Sequence, residues 1–233
     1  MSLSINTNRI IDCYDAVAFD LDGTLLNTQK GIINAIKAAV AQLGYKTPSD
    51  ERLLTFIGPP IKRSMQEEYG LNDSEADRAT YIFRELYSNK YIMEATPYDM
   101  LYRLLELLHS NGTKIGVATY KRTDYAVKIL DGFGISKYCT AICGDNDAST
   151  KTKSIIIKDC IAQLGADCSR TLYIGDTVGD MVGAIDANTH FLAVTYGFGF
   201  KQGAEIAEYK YKKPVFVANS VADLIKYLLG GMG

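Results

Sequence analysis

Hydrophobic and polar positions alternate along this chain in a way that predicts strands separated by helices. Short apolar runs bounded by polar or glycine residues indicate strands, and longer stretches with apolar residues every three or four positions indicate amphipathic helices. Strands that alternate with helices favour a parallel sheet covered on both faces. The predicted strands are Tyr14 to Phe19, Lys114 to Ala118, Thr140 to Cys143, Thr171 to Ile174, Phe191 to Val194 and Val215 to Val217.

The stretch from residue 29 to residue 96 has a different pattern, in which only helices are predicted. Its first helix carries an apolar stripe that stops at Gly44, Pro59-Pro60 interrupts the run, and a further helix is predicted from Glu75 to Tyr91. We therefore expect an α/β protein whose doubly wound, Rossmann-like core comprises 1–28 and 97–233, with a helical domain inserted at 29–96. The chain crosses between the two domains near 27–30 and 95–98, where we place the hinges.

Composition adds few constraints. The 233 residues are 47% hydrophobic and carry a net charge of −2, which indicates no partnership with a nucleic acid polymer or a membrane surface. No apolar stretch has the length of a signal peptide or a membrane span. The five cysteines are irregularly spaced, which favours buried thiols in a reducing compartment over a zinc site. We expect a cytoplasmic protein, either a monomer or a homodimer.

Several polar residues fall where predicted strands end. Asp20 and Asp22 follow the first strand, Thr119 follows the second, and Asp176 follows the strand Thr171 to Ile174. In open parallel sheets, binding sites form beyond the carboxyl ends of the strands. Two carboxylates two residues apart on a strand start on one face about 7 Å apart, and neither is easily buried without a partner. A cation is the expected partner.

The residue types at this edge suit phosphate chemistry. Asp180 follows Asp176 by one helical turn, so both carboxylates are expected on the same side. Carboxylate oxygens converging from two loops suit Mg²⁺ and not zinc. A hydroxyl at Thr119 and an ammonium at Lys153 could bind a tetrahedral dianion. Phosphoryl transfer needs mainly such positioning and charge neutralisation.

These residues carry a resemblance. The segments DLDGTLLNT, VATYKR, the lysine before SIIIKD, and IGDTVGD resemble, in order and spacing, the four motifs of the haloacid-dehalogenase-like (HAD) hydrolase superfamily. The insert is similar to the small helical cap of that superfamily. The segments FIGPPIKRS and VTYGFG are similar to its phosphoglycolate-phosphatase-like and nucleotidase-like branches.

The resemblance implies a role for each matching residue. Asp20 would be the nucleophile that forms an aspartyl-phosphate, and Asp22 would protonate the leaving alcohol and then activate water. Thr119 and Lys153 would bind the phosphate. Mg²⁺ would be held by the Asp20 carboxylate, the Asp22 backbone carbonyl and Asp176, with support from Asp180. The catalytic residues are thus Asp20, Asp22, Thr119 and Lys153, the metal residues Asp20, Asp22, Asp176 and Asp180, and the substrate-binding residues Thr119, Tyr120, Lys153, Gly23 and Arg63.

Alternatives stay open at this point. Lys151 also precedes the helix, although the register of Lys153 matches the motif better. The expected activity is a Mg²⁺-dependent, phosphoglycolate-phosphatase-like hydrolysis of small phosphomonoesters through an aspartyl-phosphate. The alternatives are a 5'-nucleotidase acting on nucleoside monophosphates and a β-phosphoglucomutase-like sugar phosphomutase, which would use the same residues. The substrate itself, whether phosphoglycolate, a nucleotide or a sugar phosphate, stays open. A signalling receiver domain is disfavoured because it needs only about half this length and carries its acidic pair elsewhere.

Overall fold

A six-stranded parallel sheet forms the centre of the molecule. The computed structural model describes residues 9–146, 150–200 and 213–230. The strand order is β5-β4-β1-β6-β7-β8, and each neighbouring pair is parallel. All six predicted strands are present. The sheet strands are β1 Ala16–Phe19, β4 Lys114–Arg122, β5 Ala141–Asp145, β6 Thr171–Gly175, β7 His190–Val194 and β8 Phe216–Ala218.

β4 extends furthest beyond its predicted end. β4 does not stop at Ala118 but continues to Arg122, after a register shift between Ala118 and Arg122 where it pairs with β5. Its last residues are partly buried instead of fully buried. Thr119, Tyr120 and Lys121 therefore lie in the last part of β4 and not in the loop after it.

Helices cover both faces of the sheet, as predicted for a doubly wound core. The core helices are α5 Leu101–Ser110, α6 Thr123–Gly132, α7 Lys153–Leu164, α8 Val178–Asp186 and α9 Val221–Leu229. On one face, Val17 and Phe19 of β1 belong to a cluster that includes the apolar residues of α5, α6 and α9. On the other, Ala16 and Ala18 belong to a cluster that includes α7 and α8. Because β1 is fully buried between these layers, Asp20, the first polar residue after it, lies at the end of a strand that is shielded from water.

The insert is helical, and the described residues 44–95 contain no strand. Its second long helix begins at a capping box between Asn72 and Glu75. The predicted helix ending at Tyr91 is present, but its last turn is a π-helix over Tyr87–Tyr91. The insert helices are α1 Gln29–Gln42, α2 Asp50–Leu54, α3 Ile61–Tyr69 and α4 Asp73–Leu86.

A two-stranded antiparallel ribbon joins the insert to the core. β2, Leu26–Asn27, pairs with β3, Thr96–Pro97, with Leu26 opposite Pro97 and Asn27 opposite Thr96. These segments overlap the crossing points named above as hinges. The ribbon therefore ties the two crossings together where the chain leaves and re-enters the core.

Two remaining expectations concern cysteines and membranes. All five cysteines are free, but only Cys143 and Cys160 are buried, while Cys13 is exposed. The expectation of buried thiols is thus wrong for the others, because they lie in short 3₁₀ turns, or next to them, at the rim of the sheet. Within the described part of the chain, no helix has the length and apolarity needed to cross a bilayer.

Candidate active site

Three of the predicted site residues, Asp20, Asp176 and Asp180, meet at the carboxyl end of the central strands. Asp20 directly follows β1, and its N–H donates to the carbonyl of Ile174 at 2.8 Å, so it continues the sheet ladder toward β6. Asp176 directly follows β6, and Asp180 lies in the first turn of α8. The parallel sheet therefore brings together residues that are far apart in the sequence.

Three carboxylates form the centre of the site. Asp20, Asp176 and Asp180 are all buried, and each offers an oxygen within 4.8 Å of the others. Nζ of Lys153 lies 2.6 Å from Oδ1 of Asp20 and 2.8 Å from Oδ1 of Asp180. Lys151 points elsewhere and pairs with Asp159 at 2.7 Å. The geometry thus decides between the two lysines in favour of Lys153.

Asp176 is held by donors from two loops. Thr24 donates its hydroxyl to Oδ1 at 3.3 Å, and the N–H groups of Phe198 and Gly199 donate to Oδ2 at 2.6 and 3.3 Å. Gly23 and Gly197 lie so close that a Cβ at either position would collide with the Asp176 carboxylate. Gly23 also has a φ of +89°, which favours glycine. These glycines permit the close approach of both loops.

Asp180 is held by its own helix and by β6. It forms a capping box with Thr177, whose N–H donates to Oδ2 at 3.0 Å and whose hydroxyl donates to the same oxygen at 2.6 Å. The hydroxyl of Tyr173 lies 3.2 Å from Oδ1 and 2.7 Å from the carbonyl of Ala118. Both oxygens of Asp180 are therefore fixed before any ligand binds.

The cluster carries more negative than positive charge. Burial, together with Asp180 and Asp22 and against the attraction of Lys153, raises the pKa of Asp20 to about 7. Burial, together with the carboxylates of Asp180 and Asp20, raises the pKa of Asp176 well above its ordinary value. Burial alone would lower the pKa of Lys153, but Asp180 and Asp20 outweigh it and raise that pKa. Among the described residues, the cluster has three carboxylates beside one ammonium and offers oxygen ligands only, which fits a divalent cation.

The Asp22 carboxylate is not part of this cluster. Its Oδ1 accepts a hydrogen bond from the hydroxyl of Thr28 at 2.6 Å and lies 3.0 Å from Nζ of Lys121. The Asp22 carboxylate is therefore not positioned as a metal ligand in this structure. The backbone carbonyl, which the family resemblance implied, stays a prediction. The side chain faces the region between core and insert.

Thr119 and Tyr120 follow one another on the extended part of β4. Thr119 is buried, and its hydroxyl oxygen accepts a hydrogen bond from the N–H of Lys121 at 3.2 Å. The hydroxyl of Tyr120 accepts the N–H of Lys153 at 3.0 Å, and the Lys153 ammonium lies 5.2 Å from the ring centroid. Tyr120 thus fixes the start of α7, and with it the position of the Lys153 side chain.

A cavity of about 470 Å³ opens onto these residues between the core and the insert. Arg63 lies at its edge, where its side chain is 75% exposed and pairs with Glu67 at 2.7 Å. The walls are largely aromatic and apolar on the insert side and polar on the core side. They include Ile32, Phe56, Ile57, Phe83, Tyr87, Tyr120, Tyr125 and Phe198, together with Asp20, Asp22, Thr119, Lys121 and Lys153.

Comparison with known proteins identifies the family. The model of the haloacid dehalogenase-like hydrolases matches residues 17–194, which include every residue of the cluster. The chain belongs to this family. It is 33% identical over 187 residues to a 5'-nucleotidase of Pseudomonas aeruginosa, covering 80% of this chain and 85% of that protein. It is 27% identical over 186 residues to a phosphoglycolate phosphatase of Agrobacterium fabrum, covering 77% and 80%.

A solved structure shows the same architecture. A crystal structure described as a predicted phosphatase from Clostridium acetobutylicum has a TM-score of 0.84 and 31% identity, and covers 93% of this chain and 98% of that one. The α/β core with its helical cap, expected from the sequence, is therefore confirmed. The chain is a HAD-like phosphatase with a buried carboxylate site suited to a divalent metal.

Two residues of this HAD site were missed at the level of sequence. Lys121 follows Thr119 by two positions, so both side chains share a face of the extended strand, a signal that the predicted end at Ala118 obscured. Tyr87 falls within the helix predicted from Glu75 to Tyr91, where nothing in the sequence marks it as a site residue. Its buried hydroxyl accepts a hydrogen bond from Nζ of Lys121 at 3.0 Å, which no sequence pattern indicates.

Proposed function

We propose that this protein hydrolyses phosphomonoesters in the presence of Mg²⁺ through a phosphoaspartate formed on Asp20. The observation that carries the proposal is the convergence of the Asp20, Asp176 and Asp180 carboxylates, two of which also contact the ammonium of Lys153, at one end of the cavity between core and cap. A divalent cation held by Asp20 and Asp176, and supported by Asp180, would draw charge from the phosphoryl oxygens and compensate the excess of carboxylates.

Each of the catalytic residues has a separate role in the proposed phosphoryl transfer. A carboxylate oxygen of Asp20 attacks phosphorus, the bond to the leaving oxygen breaks, and Asp22 gives that oxygen a proton. The hydroxyl of Thr119 and the ammonium of Lys153 hold the equatorial oxygens during the transfer. Asp22 then takes a proton from water, which attacks phosphorus, releases phosphate and restores the Asp20 carboxylate.

For the substrate, we infer a monophosphate that carries a flat organic group, of which a nucleoside monophosphate is the first candidate. Three observations support it. A cavity of about 470 Å³ has the size that drug-sized ligands occupy, and a two-carbon acid would leave much of it to water. Its cap side presents Phe56, Phe83 and Tyr87, and flat rings stack on such faces. A relative at 33% identity is named 5'-nucleotidase.

A phosphorylated carboxylic acid such as phosphoglycolate is the second candidate. Arg63 lies at the edge of the cavity and supplies the positive charge that a second anionic group would need. Its partner Glu67 is half-exposed, so a stronger acceptor could replace it. Relatives at 25–27% identity are named phosphoglycolate phosphatase.

The test is turnover of a panel containing nucleoside monophosphates, phosphoglycolate, hexose phosphates and an aryl phosphate, in MgCl₂ and in EDTA. We expect metal-dependent release of phosphate, and loss of turnover by at least about 10³-fold in Asp20→Asn because the nucleophile is removed. Asp159→Asn, which removes an exposed carboxylate of α7, serves as the matched control. Acid-trapped phosphoenzyme from radiolabelled substrate should disappear with the Asp20 substitution.

The outcomes separate the possibilities. Wild-type turnover by Asp20→Asn would refute the nucleophile. Higher kcat/KM for phosphoglycolate than for every nucleotide would replace the first candidate by the second. A phosphoenzyme stable in water, together with isomerisation of a hexose phosphate, would identify a mutase.

A further inference from the structure

A chain of side chains links the cap to Asp22. Nζ of Lys121 lies 3.0 Å from Oδ1 of Asp22 and 3.0 Å from the hydroxyl oxygen of Tyr87. The same ammonium lies 4.7 Å from the centroid of the Tyr87 ring. Tyr87 belongs to the cap, whereas Lys121 and Asp22 belong to the core. The side chains of Lys121 and Asp22 are only 7% and 13% exposed, so this ion pair is poorly screened by water.

Tyr87 is placed with little freedom. It is buried, its ring stacks on Phe83 with centroids 5.7 Å apart, and Tyr125 of α6 meets it edge-on at 6.2 Å. It is the first residue of the π-helical turn Tyr87–Tyr91, and such turns are frequent at functional sites. A hydroxyl held this firmly fixes the ammonium that it contacts.

The two contacts to Asp22 fall on the same oxygen. Among the described residues, the hydroxyl of Thr28 at 2.6 Å and the ammonium of Lys121 at 3.0 Å both meet Oδ1. With Oδ1 fixed in this way, the carboxyl group can rotate little, and Oδ2 is the oxygen left to face the cavity, which Asp22 lines. Proton transfer to a leaving group requires this kind of fixed orientation.

We propose that Tyr87 and Lys121 are positioning residues for Asp22, which hold its Oδ2 toward the leaving-group oxygen of the substrate only when the cap lies over the core. This inference rests on the proposed role of Asp22 in the phosphatase reaction. The link makes proton delivery depend on cap position, because Tyr87 leaves Lys121 when the cap moves away.

The experiment compares two substrates that differ in their need for a proton. p-Nitrophenolate leaves without protonation, whereas an alkoxide such as that of glycerol phosphate does not, so misplacement of Asp22 should affect the alkyl substrate selectively. We would measure kcat/KM, which reports the first transfer and not the later hydrolysis of the phosphoenzyme. The variants are Tyr87→Phe, Lys121→Met, Lys121→Arg and Asp22→Asn. Tyr69→Phe is the control, because its hydroxyl donates to the carbonyl of Lys46 elsewhere in the cap.

We expect kcat/KM for the alkyl phosphate to fall about tenfold in Tyr87→Phe and about a hundredfold in Lys121→Met, and that for the aryl phosphate to fall less than about threefold. Lys121→Arg should recover part of the alkyl activity because it keeps a cationic donor. Tyr69→Phe should leave the ratio of the two substrates unchanged. If Lys121→Met does not fold, Tyr87→Phe, which loses only one oxygen, decides the question.

Equal losses on both substrates in Tyr87→Phe and Lys121→Met would overturn the positioning role, since damage to folding or phosphate binding does not depend on the leaving group. A selective loss in Asp22→Asn without one in these two variants would refute this inference and leave the proposed function standing. If Asp22→Asn shows no selectivity, the role of Asp22 itself fails, and the positioning role fails with it. Activity retained by Asp20→Asn would refute the proposed function separately.

Discussion

Replacement of Lys153 by methionine removes the only ammonium in contact with the carboxylate cluster among the described residues. Methionine keeps the aliphatic stem, which packs so tightly against α8 that a Cβ on Gly183 would lie 2.6 Å from Cγ of Lys153. The change is therefore mainly electrostatic. It leaves Asp20 and Asp180 buried without the partner that now lies 2.6 and 2.8 Å away.

The expected loss is large for a single residue. Removing one partner of a buried ion pair typically costs about 3–5 kcal/mol, because the remaining charge stays desolvated. Since Asp20 can take up a proton with a pKa of about 7, the loss should be greatest near pH 8 and smaller near pH 6. Mg²⁺ should stabilise the variant more than the wild type, because a cation in the cluster would replace the missing positive charge.

The assay is urea unfolding in EDTA, followed by far-UV circular dichroism because the chain has 16 tyrosines but no tryptophan. Lys151→Met is the matched control. Lys151 pairs with Asp159 at 2.7 Å, but their side chains are 35% and 43% exposed, and such a surface pair contributes about 0–1 kcal/mol. The electrostatic reasoning is refuted if the two variants lose equal stability at pH 8, or if Lys153→Met lies within about 1 kcal/mol of the wild type.

Two further predictions concern pH and metal affinity. Because the pKa of Asp20 is about 7 in the folded protein and ordinarily 3.8, the native state keeps a proton that the unfolded state has lost between those values. The free energy of unfolding in EDTA should therefore fall as pH rises from about 4 to about 7. Asp20 contributes at most about 1.4 kcal/mol per pH unit, and Asp176, whose pKa is also raised, adds to the fall. A rise over this range in urea titrations would contradict the assignment. Gly197→Ala should raise the Mg²⁺ concentration for half-maximal turnover at least about tenfold, because the new methyl group must displace the Asp176 carboxylate; an unchanged metal titration would show that Asp176 does not hold the ion.

The architecture could be predicted because its signals are local. β1 is apolar at each of its four positions, which identifies a strand buried on both faces, and the six sheet strands were each predicted from such runs. The end of β4 was wrong for a reason that lies outside the strand. Its continuation to Arg122 depends on pairing with Asp145 of β5, a contact that appears only once the sheet has formed.

The residues of the candidate site were likewise predictable where the signal was local and not where it depended on packing. Asp20 and Asp176 were predicted from their positions after strands, since the carboxyl ends of parallel strands meet at one edge whatever the details of packing. Asp180 was predicted from its spacing of one helical turn after Asp176. The choice between Lys151 and Lys153 could not be made securely from the sequence. The two lysines are only two residues apart at the start of a helix, yet Lys151 faces solvent and Lys153 faces the site.

The order of strands, helices and acidic residues along this chain was enough to determine a doubly wound core, an inserted helical cap and an acidic edge that suits a metal and a phosphate. Side-chain periodicity and strand ends depend on residues that are close in the sequence, so they can be predicted from the sequence alone. The contact of Tyr87 with Lys121, and the turn of the Asp22 carboxylate toward Thr28 and away from the other three, were decided only by the tertiary structure. They depend on how the cap packs on the core, and residues 34 positions apart leave no periodic signal of such a contact.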